Sequence, residues 1–501
     1  MTELLNQPVA RSAPTASADQ LGAPYAEAVR AFAAAEPRRF TVPGHKGGPA
    51  APRALSARLG GAETFDLPLL IPGVDRPAGD GRAAPLERAE RRAARAWGAA
   101  RTWFLTAGAT QGNLAACLAV AQGERRVAVQ RTSHGSTFNG VALAGLLPTS
   151  ILPAFDRRLG IAHGVTPAAL DDTLRRAPGI RAVFVVSPTY YGVCADAAGL
   201  AEVAHRHGAA LIVDEAWGAH LRFSSLLPTD AISAGADLVI SSTHKHLGSL
   251  GGSAMLHRAA TAPDWLGEGA IDRALGLVTS TSPSSLLMAS LDLARARAES
   301  EGEVLLESAV HELAQVRDAL RSLPGLDVID DRLLGHPGVH GIDPLRLCLD
   351  VRRTGLTGLQ LAARLRAEDG IELELAQDRV IVAIFGLGES PATTAAPLID
   401  GLARLSRSWA DRDIPDLVED LMPHTGAARG WTPRDALWAP SRLTPVERSD
   451  GRIAAEAIVP YPPGIPVVLP GEVIDGAVLG RVRDAVLRGV WLRGASDPTL
   501  A

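Results

Sequence analysis

Lysine is almost absent from this chain: 48 arginines stand beside two lysines, Lys46 and Lys245. Arginine stays charged at any ordinary pH and cannot act as an amine nucleophile. Lysine can lose its proton when desolvated and condense with a carbonyl to a Schiff base. Lys245 lies in Ser241-Ser242-Thr243-His244-Lys245-His246, after the apolar run Asp237-Leu238-Val239-Ile240 and before Gly248 and Gly251-Gly252. That context is a strand ending in a glycine-rich loop, where reactive side chains are often presented. The chemistry it suggests is covalent capture of a carbonyl cofactor such as pyridoxal phosphate (PLP). One of two lysines falling in a loop by chance satisfies the same spacing, so the residues around it must decide.

A PLP site needs an acid beside the ring nitrogen, donors for the phosphate and a surface flat against the ring. Asp214 ends the run Leu211-Ile212-Val213, which aims a carboxylate from a strand terminus. It is assigned to the pyridine nitrogen; an Asp capping a following helix reads the same way. His134 follows the run Val127 to Gln130 and can stack on the ring, although a lone His is more often structural. Ala216 can pack on the opposite ring face. Ala109, through its backbone N–H, with Thr110 and Ser242, can hold the phosphate. His244 is placed to bind phosphate or a substrate carboxylate, or to protonate a carbanion, and the residues do not choose among these.

The elements that must carry these side chains follow from periodicity. Thr102 to Thr106, Val127 to Gln130, Arg181 to Ser187, Ala209 to Asp214 and Asp237 to Ser241 are short apolar runs of buried-strand type. Helical patterns lie at Leu21 to Ala35, Leu86 to Trp97, Gln111 to Ala121, Pro167 to Arg176 and Ala197 to His207. The alternation predicts an α/β domain with a mostly parallel sheet and helices on both faces, whose ligands sit beyond the carboxyl ends of the strands. Thr106 to Thr110, His134, Ser187 to Tyr190, Asp214 to Trp217 and Ser242 to Lys245 all fall at such ends. A charged helical stretch from Ser284 to Leu323 leads into short strands at Leu326 to Ile329, Leu345 to Asp350, Ile371 to Leu375 and Val380 to Phe385. A helix at Pro391 to Arg407 follows. The expected division is a tail and helix over 1–30, a PLP-binding large domain over 31–284, a small α+β domain over 285–423 and a C-terminal module over 424–501.

Composition narrows the class. With 47% hydrophobic and 21% charged residues the chain can bury a large core. A net charge of -5 gives no basic face for nucleic acid. Cys117, Cys194 and Cys348 lie far apart without metal spacing, as in a reducing compartment. No run is long enough to span a membrane, and residues 1–20 read as a loose tail without a signal pattern, so a cytoplasmic location is expected.

Taken in order, these segments resemble the Orn/Lys/Arg decarboxylase family of fold-type-I PLP enzymes, over nearly the whole chain from Phe40. Pro43-Gly44-His45-Lys46-Gly47 is similar to its N-terminal signature and Gly108-Ala109-Thr110 to its Gly-Thr-Ser phosphate loop. Ser133-His134 matches its ring-stacking His, Asp214-Glu215-Ala216-Trp217 its pyridine-nitrogen segment, and Ser242-Thr243-His244-Lys245 its lysine signature. Thr281-Ser282-Pro283-Ser284 resembles a loop that reaches a neighbouring subunit's phosphate, which makes Ser282 a cofactor contact in trans. Pro460 to Pro466 and Pro470-Gly471-Glu472 resemble its C-terminal domain. Ala109 removes one hydroxyl from the phosphate loop, Gly135 stands where many members have Lys, and Trp217 where many have His. The resemblance implies a short form without an N-terminal wing domain, assembled as a homodimer or homotetramer with the active site at the subunit interface.

The expectation is PLP-dependent decarboxylation of arginine, lysine or ornithine to the polyamine-type amine and CO2. The catalytic set is Lys245, His244, His134 and Asp214, and no metal is expected. Glu472 and Trp217, with Asp75 and Asp80, are candidates to face the substrate. Lys46 falls near the active-site mouth or is simply a solvated loop lysine. Another fold-type-I activity, aminotransferase or lyase, and an inactive PLP-fold regulatory protein are the rivals.

Overall fold

In the computed structural model the described residues are 22–67, 70–407, 409, 430–461, 464–487 and 489–497. The expected tail over 1–20 lies outside them.

The large domain is built on seven strands: β1 (Arg101–Leu105), β2 (Arg126–Gln130), β3 (Leu147–Ile151), β4 (Ala182–Val186), β5 (Ala210–Asp214), β6 (Leu238–Ser241) and β7 (Ala254–Arg258). Their order is β1-β7-β6-β5-β4-β2-β3. The pairings from β3 through β6 are parallel, and β7 runs antiparallel to both its neighbours. The run Ala210-Leu-Ile-Val-Asp214 is buried throughout, as a central strand covered on both faces must be. One face is covered by α1 (Gly108–Val120), α2 (Gly135–Ala144) and the helix over Glu268–Val278; their side chains share a core with Trp103, Phe184, Ile212 and Ile240. The other face carries α3 (Pro167–Arg176) and α4 (Ala197–Arg206), whose Leu170, Leu174, Leu200 and Val203 pack on Val183, Leu211 and Val239.

Two of these strands, β3 and β7, fall outside the strands expected from periodicity. β3 carries Pro148 and few apolar residues, and it survives as a strand because it lies at the sheet edge, where a missing N–H is tolerated. β7 carries His257 in its interior.

A single helix, α5 (Ser285–Arg321), 37 residues long, leaves the large domain and forms the back of the small one. Ser284 caps it by accepting from the Leu287 amide. The small domain is an antiparallel sheet, β8 (Asp327–Ile329), β9 (Arg346–Asp350), β10 (Leu375–Ala376) and β11 (Val380–Ile384), in the order β8-β9-β11-β10. The expected strand from Ile371 to Leu375 is only Leu375–Ala376. The residues ahead of it are irregular, and Glu374 among them accepts from Tyr190 Oη of the large domain. The helix expected from Pro391 is broken into Pro391–Thr394 and Ala396–Ser406.

The C-terminal module has its own core, in which Ile458, Val467, Val468, Leu479, Val482 and Leu492 pack together. Its strands β12 (Val459–Tyr461) and β13 (Trp491–Arg493) pair antiparallel. Arg131, at the end of β2, reaches into it: the guanidinium donates to Pro466 O (2.6 Å) and Val467 O (3.0 Å) and meets Glu472 Oε2 at 3.1 Å, with both side chains 1% exposed. All three cysteines are buried free thiols. Among the described residues no helix is long and apolar enough to cross a membrane.

Candidate active site

The carboxyl ends of β2, β4, β5 and β6 open on one cavity of about 370 Å³. Lys245, Asp214, His134, His244, Ser242, Ala109, Thr110, Ala216 and Trp217 all line it. Nine residues scattered over 137 positions of sequence thus meet as expected, because each strand of a parallel sheet delivers its last residues to the same edge.

Lys245 sits on a single helical turn, Thr243–His246, that follows β6 directly. Its Nζ lies 3.5 Å from the centre of the Trp217 ring. Desolvation pulls its pKa down to about 8, against the opposing pull of the Asp214 charge, and Arg346 lowers it further. The turn is held from behind by the small domain: Leu387 N donates to His246 O (2.6 Å), and His246 Nδ1 bonds Phe385 O (3.0 Å).

Asp214 is buried at the end of β5, and its carboxylate is oriented from both sides. Ala216 N donates to Oδ1 (3.1 Å) and Asn113 Nδ2 to Oδ2 (2.8 Å). Asn113 donates its second hydrogen to Ser136 Oγ (3.0 Å), and the Ser136 amide in turn donates to His134 Nδ1 (3.2 Å). An accepting Nδ1 puts the imidazole proton of neutral His134 on Nε2. Burial pushes the His134 pKa down while Asp214 pulls it up. One asparagine on α1 therefore ties the acid and the imidazole into one rigid unit. Its distance in sequence from both partners gave no signal for it.

The expected phosphate cradle is a meeting of two backbones. α1 starts at Gly108, three residues earlier than the expected Gln111, so Ala109 and Thr110 lie in its first turn, where amides have no upstream carbonyl to bond. Ala107, at the N-cap, has no side chain able to cap this terminus, and its own amide donates to Gln111 Oε1 (3.1 Å). Gly108 (φ +69°) donates to the carbonyl of Gly252 (φ +87°) at 2.6 Å, which draws the loop after Lys245 against the helix start. Both conformations are left-handed and favour glycine. Ser242 is buried beside them, and its hydroxyl is not engaged in capping its own turn. Free amides at a helix N-terminus, a hydroxyl and a backbone able to approach closely make an anion site. His244 donates from Nδ1 to Ser253 O (2.6 Å), and burial keeps its pKa below the ordinary histidine value. Its Nε2 in the neutral ring is an acceptor.

Other expected site residues are not brought here. Glu472 is buried in the ion pair with Arg131 and also accepts from Leu469 N (2.9 Å), so it joins the C-terminal module to the large domain and does not line the cavity. Asp75 is engaged by Tyr25 Oη (3.3 Å), and Asp80 is exposed; neither lines the cavity. Ser282 is exposed and bonded to Ser280, away from this chain's own cavity. Lys46 donates to Thr41 O within its own loop. Conversely, Tyr191, Glu374 and Arg493 line the cavity without having been singled out, the latter two from the small domain and the C-terminal module. Arg346, on β9, is fully buried with its guanidinium 3.9 Å from the Trp217 ring centre. It faces Asp343 at 3.6 Å, and Asp343 accepts from His220 Nε2 at 3.1 Å.

This sheet, with a lysine after its sixth strand and an aspartate ending its fifth, is the fold-type-I architecture of PLP-dependent enzymes. Solved structures agree. Lysine decarboxylase A from Pseudomonas aeruginosa superimposes with a TM-score of 0.78 at 22% identity, covering 93% of this chain and 76% of that one. The constitutive lysine decarboxylase of Escherichia coli gives 0.75 at 20% identity, covering 93% and 78%. The family models for "Orn/Lys/Arg decarboxylase, major domain" and "Orn/Lys/Arg decarboxylase, C-terminal domain" match residues 23–333 and 438–481. Arginine decarboxylase of Bacillus subtilis is 32% identical over 473 residues, 94% of this chain and 95% of its own length, and that of Bacillus anthracis 31% over 467, 93% of each. The chain belongs to the Orn/Lys/Arg decarboxylase family and is an amino acid decarboxylase.

Proposed function

We propose that the protein uses PLP to decarboxylate a basic amino acid, arginine, lysine or ornithine, to the corresponding amine and CO2. The observation that carries this reading is the convergence of a desolvated lysine amine, a clamped carboxylate and an uncapped helix terminus on one cavity. The curated relatives, named for arginine and lysine, point to basic substrates.

The residues present fit the cofactor. Lys245 would hold it covalently, Asp214 would face its ring nitrogen, and His134 and Ala216 would lie against its ring. Ala109, Thr110 and Ser242 would receive its phosphate. PLP, when bound, accepts the electron pair left at Cα as the carboxylate departs as CO2. The Asp214 carboxylate, fixed by Asn113 and Ala216 N, favours a protonated ring nitrogen and so strengthens that withdrawal. The leaving carboxylate is replaced at Cα by a proton. Lys245 is suited to deliver it: with a pKa of about 8 its amine is mostly protonated at neutral pH and regains the proton readily from water. His244, neutral at that pH with Nδ1–H committed to Ser253, is better suited to accept a hydrogen bond than to give up a proton. Ser282 supports completion of the phosphate site across a homodimer or homotetramer interface. A cytoplasmic, polyamine-forming role suits buried free cysteines and this substrate class.

The test is a substrate panel. Purified protein with PLP is incubated with arginine, lysine, ornithine and a set of neutral amino acids, and amine, CO2 and keto acid are quantified. Amine and CO2 in equal amounts from one basic amino acid are expected. Keto acid without amine would assign the protein to the aminotransferases, and absence of any turnover to an inactive PLP-fold protein.

A further inference from the structure

Arg346, on β9 of the small domain, is fully buried and does not line the cavity. None of its three guanidinium nitrogens has a hydrogen-bond partner among the described residues. Its ion-pair partner, Asp343, stands off at 3.6 Å and gives its other oxygen to His220 Nε2 (3.1 Å) and Leu345 N (3.0 Å). An arginine that only joins two bodies commits its donors to carbonyls and carboxylates, as Arg131 does with Pro466, Val467 and Glu472. Buried donors left unpaired are costly, so the placement of this guanidinium calls for another reason.

What the guanidinium does meet is the Trp217 ring, 3.9 Å from its centre. Lys245 Nζ lies 3.5 Å from the centre of the same ring. Two groups that close over one face would overlap, so the indole is held between them, with the arginine behind and the lysine in front. The arginine stem is gripped: a Cβ at Gly192 would stand 2.7 Å from its Cγ, so the loop after β4 closes on it. A guanidinium stays positive, so the amine across the ring is favoured in its neutral, nucleophilic form. Burial is the larger cause of this amine's low proton affinity; Asp214 and Glu374 oppose it, and Arg346 adds to it. His134 and His244, the other titratable groups beside the amine, are themselves held toward neutrality by burial.

We infer that Arg346 is a positioning residue for Lys245, acting through Trp217: it braces the indole from behind and sets a permanent positive charge across the ring from the amine. The inference rests on the reading of Lys245 as the lysine that captures the cofactor, and it adds a residue of the small domain to that reading. It also accounts for Trp217 at this position, because an indole presents a π face to each of the two cations.

The chain's two lysines make the test direct. Full-length protein freed of cofactor is trace-labelled with acetic anhydride from pH 6 to 11. Lys46 and Lys245 are read peptide by peptide by mass spectrometry, with Lys46 as the internal reference. Wild type is compared with two variants. Arg346→Lys keeps the charge. Arg346→Met paired with Asp343→Asn removes the charge together with its counter-charge and so spares the fold an unpaired carboxylate. The Lys245 midpoint, about 8 in wild type, is expected to rise by about one pH unit in the paired variant. It is expected to stay near the wild-type value in Arg346→Lys, with Lys46 unmoved in both. A paired variant whose Lys245 titrates with wild type, or a rise of equal size in Arg346→Lys, overturns the inference, as does a parallel shift of Lys46. The measurement uses neither cofactor nor substrate, so its failure leaves the decarboxylase reading intact. A substrate panel without turnover strikes that reading and leaves the labelling profile unchanged, which tells the two failures apart.

Discussion

A lysine amine that is half-buried, pressed on an indole face and near an arginine does not keep the proton affinity of a surface lysine. The shift of Lys245 to about 8 has a measurable consequence. If Lys245 captures PLP as proposed, its deprotonated amine would be the nucleophile toward the cofactor's carbonyl, so cofactor uptake by the cofactor-free protein should rise with pH and reach half its maximal rate near pH 8, well below the ordinary lysine value near 10.4. Stopped-flow absorbance across pH 6 to 10 measures this directly. Lys245→Arg should abolish the covalent signal at every pH, because guanidinium stays protonated. A midpoint near 10 would show that Trp217 and the small domain leave the amine solvated. At this scale the sequence was legible because the chemistry was rare. With two lysines in the chain, the one beside a strand end stood out, and Asp214 and His134 followed as the last residues of apolar runs. Asn113 and Glu374 were invisible for the opposite reason. Each is one polar residue among many, and only the packing of α1 on β5, or of the small domain on the large, gives it a partner.

Element boundaries reflect how strongly burial constrains each segment. Central strands such as β5 read cleanly because every residue is apolar until the functional one. β7 did not, since its interior holds His257, fully buried and accommodated by neighbouring strands. Thr102 Oγ1 on β1 lies 2.9 Å from Nδ1, and Ser241 Oγ on β6 2.8 Å from Nε2. The ring stacks on Trp97 with centroids 5.1 Å apart. Two hydroxyls can serve a neutral imidazole, one donating and one accepting, but nothing there balances a positive charge. Burial accordingly pushes the pKa of His257 down to about 3. The unfolded chain binds this proton near pH 6.5, so the folded state is fully favoured above that value and loses stability as pH falls from about 6.5 toward 3. At pH 5 the loss from this residue is about 2 kcal/mol. His257→Gln should therefore be less stable than wild type at pH 7.5, and the gap in thermal midpoint should narrow steadily toward pH 5. A gap independent of pH would mean that His257 is protonated in the fold.

Three bodies must hold together for the cavity to exist, since the large domain contributes Lys245, the small domain Glu374 and the C-terminal module Arg493. The joint between large and small domains is polar and buried: His220 and His246 from one side meet Asp343 from the other, and Asp343 N donates to Gly192 O at 2.8 Å. The joint to the C-terminal module is the Arg131–Glu472 pair, whose position just before His134 links module docking to the site. The resemblance of Pro470-Gly471-Glu472 to a family module located this segment, but from sequence alone a carboxylate in it could as well face a substrate. The fold decides by supplying an arginine, because a buried carboxylate is tolerated only beside a cation and donors. Breaking the pair on one side should be severe. Glu472→Gln leaves the Arg131 charge buried without its counter-charge and should destabilise the module's docking by about 3–5 kcal/mol. Hydrogen exchange should then accelerate across residues 454–497 while the large sheet keeps its protection. Replacing both partners together, Arg131→Met with Glu472→Leu, removes the charge along with its counter-charge. Such paired replacements are often close to neutral, so the double variant should exchange far more slowly than the single one. If single and double variants loosened the module equally, the hydrogen bonds from Arg131 to Pro466 O and Val467 O, rather than charge compensation, would be what holds the module against the active-site edge.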